Sequence, residues 1–352
     1  MTRRMAVLSV GVVLLVVFGV LGAAVPVPYV AQVPGPTFNT LSDVDGEPII
    51  SVEGRERNET EGELTLTTVG VSRAGLSLVE AVQGWFDSEV SVVPEETVYP
   101  PGRTEQQTRD ANRQAFLTSE EAAEAAALAE LGHPVKVVVR GLSEDSPAEG
   151  RLQEGDAVAA VAGRPTPALA TLDAVLRSIP GGTTVSVGYT RLGQPGTATV
   201  TTRSAADAEQ TDGPADAEER EGSLLGVLVR EQPAAPYDVD IAVEDVGGPS
   251  AGLMLTLGIL DLVGDTDLTG GATVAGTGTI TATGEVGPIG GIQLKMIAAE
   301  EIGAELFLVP ADNCADALGA PRPGLTLARV ANLDEALTAL EDLRAGRTPR
   351  PC

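Results

Sequence analysis

Hydrophobic and polar positions follow several different periods along this chain. Residues 5–25, "MAVLSVGVVLLVVFGVLGAAV", hold no charge, and a run of that size is about long enough to span a bilayer. Residues 26–45 are Pro- and Gly-rich and predict an extended stalk. Strand-like alternation in "ELTLTTVGV" and "SEVSVVP" brackets a helical pattern in "SLVEAVQGWF", where Trp85 and Phe86 are expected to pack. "PPGRTEQQTRDANRQAFLTSEEAAEAAALAEL" reads as a loop and then a long Ala/Glu-rich helix, with Thr118-Ser119-Glu120-Glu121 as its capped, acidic start.

The register changes at residue 135. "VKVVVRGLSEDSPAEGRLQEGDAVAAVAGRPT" runs strand, turn, short helix, Gly-Asp turn, strand and turn in quick order. "TLDAVLRSI" is amphipathic, and "TTVSVGYTR" and "GTATVTTR" alternate as strands. Residues 204–222, "SAADAEQTDGPADAEEREG", are acidic, small and polar; such a segment cannot bury a core and predicts a flexible linker or loop. From residue 223, strands ("SLLGVLVRE", "DVDIAVED", "ELFLVPADN", "LTLARV") alternate with helices ("PSAGLMLTLGILDLV", "IQLKMIAAEEIGA", "NLDEALTALEDLRAG"), which predicts an α/β or α+β domain.

Composition narrows the chemistry. The chain has 352 residues, 50 acidic against 23 basic, for a formal net charge of −27. That balance repels phosphate backbones, so no nucleic-acid partner is expected. It has one histidine, His133, two cysteines, Cys314 and Cys352, and two lysines, Lys136 and Lys295. A Ser-His-Asp arrangement could use only His133. No metal site is expected, since His and Cys ligands would have to come from distant segments. Neither lysine precedes Ser or Thr, so there is no P-loop, and neither ATP nor any other cofactor is expected. Arg3 and Arg4 before the apolar run predict a cytoplasmic N-terminus, an uncleaved single-pass anchor in the cell membrane and an extracytoplasmic body. A cleaved signal peptide ending near Gly22-Ala23-Ala24 is the competing reading. Either way the compartment permits a Cys314–Cys352 disulfide, with two free thiols as the alternative.

Two stretches draw attention within the last region. In "DVGGPSAGLMLTLGIL", Gly247 and Gly248 allow a sharp turn and Pro249 can start a helix, leaving Ser250 at its N-terminus beside the small Ala251. Ser250 is then either a simple helix cap or a nucleophile whose oxyanion the free N–H groups would hold. In "GEVGPIGGIQLKMIAAEE", Lys295 sits among Ile289, Ile292, Leu294, Met296 and Ile297. It either snorkels from an amphipathic helix or is buried as a base, for which its pKa must drop from ~10.4 to about 7–8.

"GGPSAG" followed by "PIGGIQLK" resembles the proteolytic domain of Lon proteases, with its Ser-Lys dyad, over residues 223–345. The resemblance implies that Ser250 is the nucleophile and Lys295 the general base. It also implies that Thr277, in "AGTGTIT", orients the amine, with Gly248, Pro249 and Ala251 supporting the turn. The sequence departs from the family where many members have an aspartate before Gly-Pro-Ser and this chain has Gly247, and the ATPase module is missing. "SEDSPAEGRLQEGDAVAAVAGRPT" resembles the PDZ signature through Pro147, Ala148, Gly155, Asp156 and Gly163, and PDZ domains bind chain ends by strand addition. Gly132, His133 and Val135 are expected to border that groove.

The layout resembles bacterial, actinobacterial-type, membrane-anchored PDZ Lon-like serine proteases. It implies an α+β fold class: an N-terminal transmembrane helix, a β-rich PDZ-like domain and a Lon-type α/β proteolytic domain. The expected divisions are an anchor at 1–28, an extracytoplasmic N-terminal region at 29–118, a PDZ domain at 119–203, a linker at 204–222, a Lon-like domain at 223–345 and a tail at 346–352. The function implied is ATP-independent hydrolysis of peptide bonds in extracytoplasmic protein or peptide substrates that the PDZ domain recruits or gates. Homo-oligomeric rings are common in the family. The rival reading is an inactive scaffold or binding protein.

Overall fold

The computed structural model describes residues 3–44, 46–72, 75–205, 222–243 and 246–352. Nearly all of the expected 204–222 linker lies outside the described residues. The chain forms two compact units, one of Met1–Ala127 with Tyr237–Cys352 and the other of Leu128–Pro236. The expected divisions differ from these limits: residues 29–127 are part of the C-terminal unit, and residues 223–236 are part of the second unit.

The first segment starts with helix α1 (Arg3–Ala24), of which Val7–Ala24 is long and apolar enough to cross a membrane. Instead of a stalk, the next residues form strand β1 (Tyr29–Asn39). Strands β2 (Ile50–Glu53) and β3 (Glu63–Val71) follow, then helix α2 (Leu78–Phe86), strand β4 (Ser91–Pro94) and helix α3 (Glu105–Glu130). A capping box starts α2: Ser77 Oγ accepts from the Glu80 N–H and the Glu80 carboxylate accepts from the Ser77 N–H. Trp85 and Phe86 do not pack inward; they are 57% and 89% exposed, because Ala81 and Gly84 are the residues turned to the protein.

Helix α3 starts earlier than Thr118. Thr104 Oγ1 accepts from the Gln107 N–H at 3.1 Å, and Gln107 Oε1 accepts from the Thr104 N–H at 2.9 Å. That reciprocal pair satisfies the first free donors, so Thr118 and Ser119 fall mid-helix.

The second unit is an antiparallel sheet. Its strands are β5 (Val135–Leu142), β6 (Ala157–Val161), β7 (Thr184–Arg191), β8 (Gln194–Thr201) and β9 (Val227–Pro233), with helix α4 (Leu169–Arg177) between β6 and β7. The order is β8-β7-β6-β5-β9. Strand β9 pairs with β5 from Val227 opposite Leu142 to Pro233 opposite Val135. That ladder puts "GVLVRE" in this unit, which local periodicity could not reveal. The core is aliphatic, with Val137, Leu152, Val158, Leu172, Val187 and Val200 buried. Asp156 is fully buried, and both its oxygens accept from Arg191 at 2.7 Å, from Nε and from Nη2.

The chain returns to the first unit with β10 (Asp238–Ile241), which pairs antiparallel with β2. Helix α5 (Gly252–Val263), strand β11 (Thr273–Gly276), helix α6 (Ile292–Glu301), strands β12 (Leu306–Pro310) and β13 (Thr326–Val330), and helix α7 (Leu333–Arg344) complete it. The sheet runs β13-β12-β11-β3-β1-β4, so half its strands come from before residue 95. Every residue of α5 is buried. A helix apolar all round needs cover on all sides, which explains why a domain of residues 223–345 alone does not close. Cys314 and Cys352 are disulfide-bonded with Cα atoms 5.2 Å apart, and Pro351 bridges Ala328, so the C-terminal residues are not a loose tail.

Candidate active site

Residues 247–250 make the turn into α5. Gly248 takes φ +85°, a left-handed conformation that favours glycine. Helix α5 starts at Gly252 with Ala251 as its N-cap. Ser250 is therefore not the cap; its Oγ is hydrogen-bonded to Lys295 Nζ at 2.8 Å.

Lys295 stands in the first turn of α6, which follows the "GPIGG" turn and starts from Gly291 in the left-handed region at φ +70°. Its side chain is 3% exposed. Burial alone pushes the amine down to about 7, since a desolvated ammonium is costly and no carboxylate opposes the shift. The snorkelling alternative does not hold for this lysine. Thr277 follows β11 and is fully buried. Its hydroxyl donates to the Ser250 carbonyl at 3.0 Å and accepts from Lys295 Nζ at 2.9 Å. The Ser250 carbonyl also accepts from the Gly278 N–H at 2.9 Å. Serine, threonine and lysine thus share one network, and each end of it is set by backbone.

Two residues that sequence reasoning missed come from α3. The Asn112 carbonyl accepts from the Gly248 N–H at 2.9 Å, and Ser119 Oγ donates to the Pro249 carbonyl at 3.0 Å. Nothing in local pattern ties residues 112 and 119 to residue 248. The Gly248 N–H is occupied by this bond, so it is not a free oxyanion donor. Among the described residues, the N–H groups of Ser250 and Ala251 have no acceptor. The absent aspartate at Gly247 also has a local reason: a Cβ there would lie 3.1 Å from Asn112 Cβ, so glycine lets α3 approach.

These groups open on a groove of about 1000 Å³ lined by β3, the 246–251 turn and the 288–291 turn. Among its described lining residues Lys295 is the sole ionisable side chain. Strand β3 pairs with β11 only as far as Leu66 opposite Gly276, so Thr67–Val71 face the groove beyond the end of that ladder.

The second unit carries a groove of its own. A groove of about 1220 Å³ runs between α4 and β9, lined by Leu172, Leu176, Leu225, Val227 and Val229 among others. Gly132, His133 and Val135 do not line it. Val135 opens β5, which is internal between β6 and β9, whereas β9 is the edge strand with a free ladder.

Residues 240–341 match the Lon protease (S16) C-terminal proteolytic domain, and the match spans Ser250, Thr277 and Lys295. No curated protein matches the chain. Among solved structures, the PDZ domain of an SdrC-like protein from Listeria monocytogenes is 17% identical over 27% of this chain and 86% of its own, with a TM-score of 0.22. The PDZ domain of an SdrC-like protein from Listeria innocua is 21% identical over 27% of this chain and 92% of its own, with a TM-score of 0.22.

Proposed function

We propose that this chain is a membrane-anchored, ATP-independent serine endopeptidase using Ser250 as nucleophile and Lys295 as base. The observation that carries the reading is a buried lysine, without a carboxylate partner, 2.8 Å from a serine hydroxyl. A lysine with a pKa of about 7 is half neutral at that pH, and only the neutral amine can take a proton. Ser250 Oγ bonds to the scissile carbonyl carbon as its proton passes to Lys295 Nζ. The negative oxygen is held by the N–H groups of Ser250 and Ala251; removing one such donor typically costs ~3–4 kcal/mol. The C–N bond then breaks and Lys295 returns the proton to the leaving amine. Water, activated by the same amine, releases the acyl group and restores Ser250. Thr277 is a positioning residue that keeps the amine aimed at Oγ.

The Lon-type match over 240–341 supports a protease acting on proteins or peptides. The free edge of Thr67–Val71 suits an extended substrate backbone. In the PDZ-like unit, the groove between α4 and β9 suits capture of a chain end. Helix α1 as an uncleaved anchor puts both units outside the cytoplasm, with Arg3 and Arg4 inside.

The test is covalent labelling of the full-length protein by a serine-reactive warhead, read by intact mass across pH ~6–9. One adduct, on Ser250, growing with pH through a midpoint near 7 and lost in Ser250→Ala and Lys295→Ala, is the expected result. An adduct that ignores Lys295, or none on folded protein, would favour the inactive scaffold.

A further inference from the structure

Helix α2 exposes five large apolar side chains: Leu78 (48%), Val79 (38%), Val82 (38%), Trp85 (57%) and Phe86 (89%). Their spacing of i, i+1, i+4, i+7 and i+8 is that of a single helical face. The helix already has its protein contact on another side. Ala81 and Gly84 are buried, and a Cβ on Gly84 would come within 2.6 Å of Val92 Cγ2. The outer stripe is therefore a second apolar face, and stripes of this kind mark interaction surfaces.

Its surroundings say what covers it. A Cβ on Gly22 of α1 would lie 3.5 Å from Val79 Cγ2 and 3.9 Å from Leu78 Cδ2. The Val27 N–H donates to the Leu76 carbonyl at 2.7 Å, and Pro26 bridges Ser77. Helix α2 is thus pinned beside the last turn of the one helix, among the described residues, long and apolar enough to cross a membrane. Trp85 meets Tyr29 edge-on at 6.0 Å, and Trp and Tyr are the side chains that concentrate at the membrane–water boundary. From Leu76 to Pro94 there is no Lys or Arg, while Glu80, Asp87 and Glu89 are acidic. Attraction to anionic headgroups is excluded for this stretch; apolar burial is the driving force.

We propose that α2 is an interfacial helix whose Leu78, Val79, Val82, Trp85 and Phe86 face lies in the headgroup–acyl boundary of the bilayer that holds α1. This rests on reading α1 as an uncleaved anchor. The helix would hold the unit that carries Ser250 down on the membrane surface rather than on a free tether.

Trp85 is the chain's sole tryptophan, so its fluorescence reports on one site. The test uses full-length protein in phosphatidylcholine nanodiscs, with and without bromine high on the acyl chains. Blue-shifted emission that loses roughly half its intensity to the bromolipid, resists aqueous iodide and is indifferent to salt is the expected result. The double substitution Val82→Asp with Phe86→Asp, at exposed positions, should cut bromolipid quenching several-fold and admit iodide while the protein stays in the disc. Iodide quenching without bromolipid quenching, in discs that hold the chain, overturns the proposal and leaves the anchor standing. So does a shielded Trp85 that bromolipid does not touch, which would mean a protein covers the face. Protein that does not enter discs overturns the anchor reading and this proposal together.

Discussion

Both units bury ionisable side chains, and two of these, Asp156 and Lys295, are treated in opposite ways. Asp156, in the PDZ-like unit, has no exposure and Lys295, in the Lon-like unit, has 3%. Burial opposes ionisation of Asp156, but hydrogen bonds from Arg191 and from the Gln153 N–H, with the Arg191 charge, outweigh it and hold the carboxyl below its ordinary range. Lys295 receives two hydroxyls and no countercharge, so burial wins and the amine falls to about 7. A buried charge with a partner stays charged and fastens a turn to a strand. A buried charge without one is ready to give up its proton, which is what a base requires. The same physical cost supports structure in one region and chemistry in the other.

The largest expected effect breaks the chemical side of that contrast. Lys295→Arg keeps a cation but supplies one that cannot deprotonate. Peptidase kcat/KM, or the Ser250 labelling rate, should fall by ~10³-fold or more, as for Ser250→Ala. An active Lys295→Arg protein would end the general-base reading.

Next comes the structural side. Asp156→Asn removes the charge that the 34% exposed Arg191 brackets, and losing charge-assisted hydrogen bonds of this kind costs about 1.5–3 kcal/mol. Thermal and denaturant unfolding should record that loss. Labelling of Ser250 in the same samples tells a lost fold from a lost base. A change below ~1 kcal/mol would put Asp156 among weak surface pairs.

Lys295→Met tests the cost directly. Between pH 7 and 10.5 the unfolded chain binds the lysine proton and the native chain does not, so native stability rises with pH through that window. The substitution should stabilise the inactive protein by about 2 kcal/mol near neutrality, after the lost hydrogen bonds, and the gain should vanish as pH approaches the free lysine value. Equal stability at all pH values would mean that the lysine is not desolvated.

The smallest effect is Thr277→Val, an isosteric change at a fully buried hydroxyl. We expect kcat to drop ~10-fold with KM held, and the labelling midpoint to move to lower pH, because the hydroxyl stabilises the ammonium more than the amine. An unmoved midpoint would reduce Thr277 to a packing residue.

Much of this site was legible before folding. The Gly-Gly-Pro-Ser turn and the lysine among Ile292, Leu294 and Met296 announce themselves by glycine, proline and apolar neighbours. Asn112 and Ser119 do not, since they act on the Pro249 turn from a helix more than a hundred residues away. The groove between α4 and β9 was not legible in local pattern for a related reason. Which strand is an edge depends on pairing, and β9 comes from a segment separated from β5 by most of the unit. Trp85 and Phe86 show the limit of periodicity, which finds an apolar face but not what covers it.

The sequence by itself marked Ser250 and Lys295 as the expected pair through its resemblance to the Lon proteolytic domain, and its local pattern showed that α5 is apolar on all sides and that the first apolar run is of membrane-spanning length. Composition and local period carry that information because they are properties of neighbouring residues. Only the tertiary structure decided that the lysine is dry, that Ser250 is not a cap, and that β1 and β3 complete the sheet beneath it. Desolvation, strand pairing and the free N–H groups at a turn all depend on atoms far apart in the chain, and no local pattern encodes them.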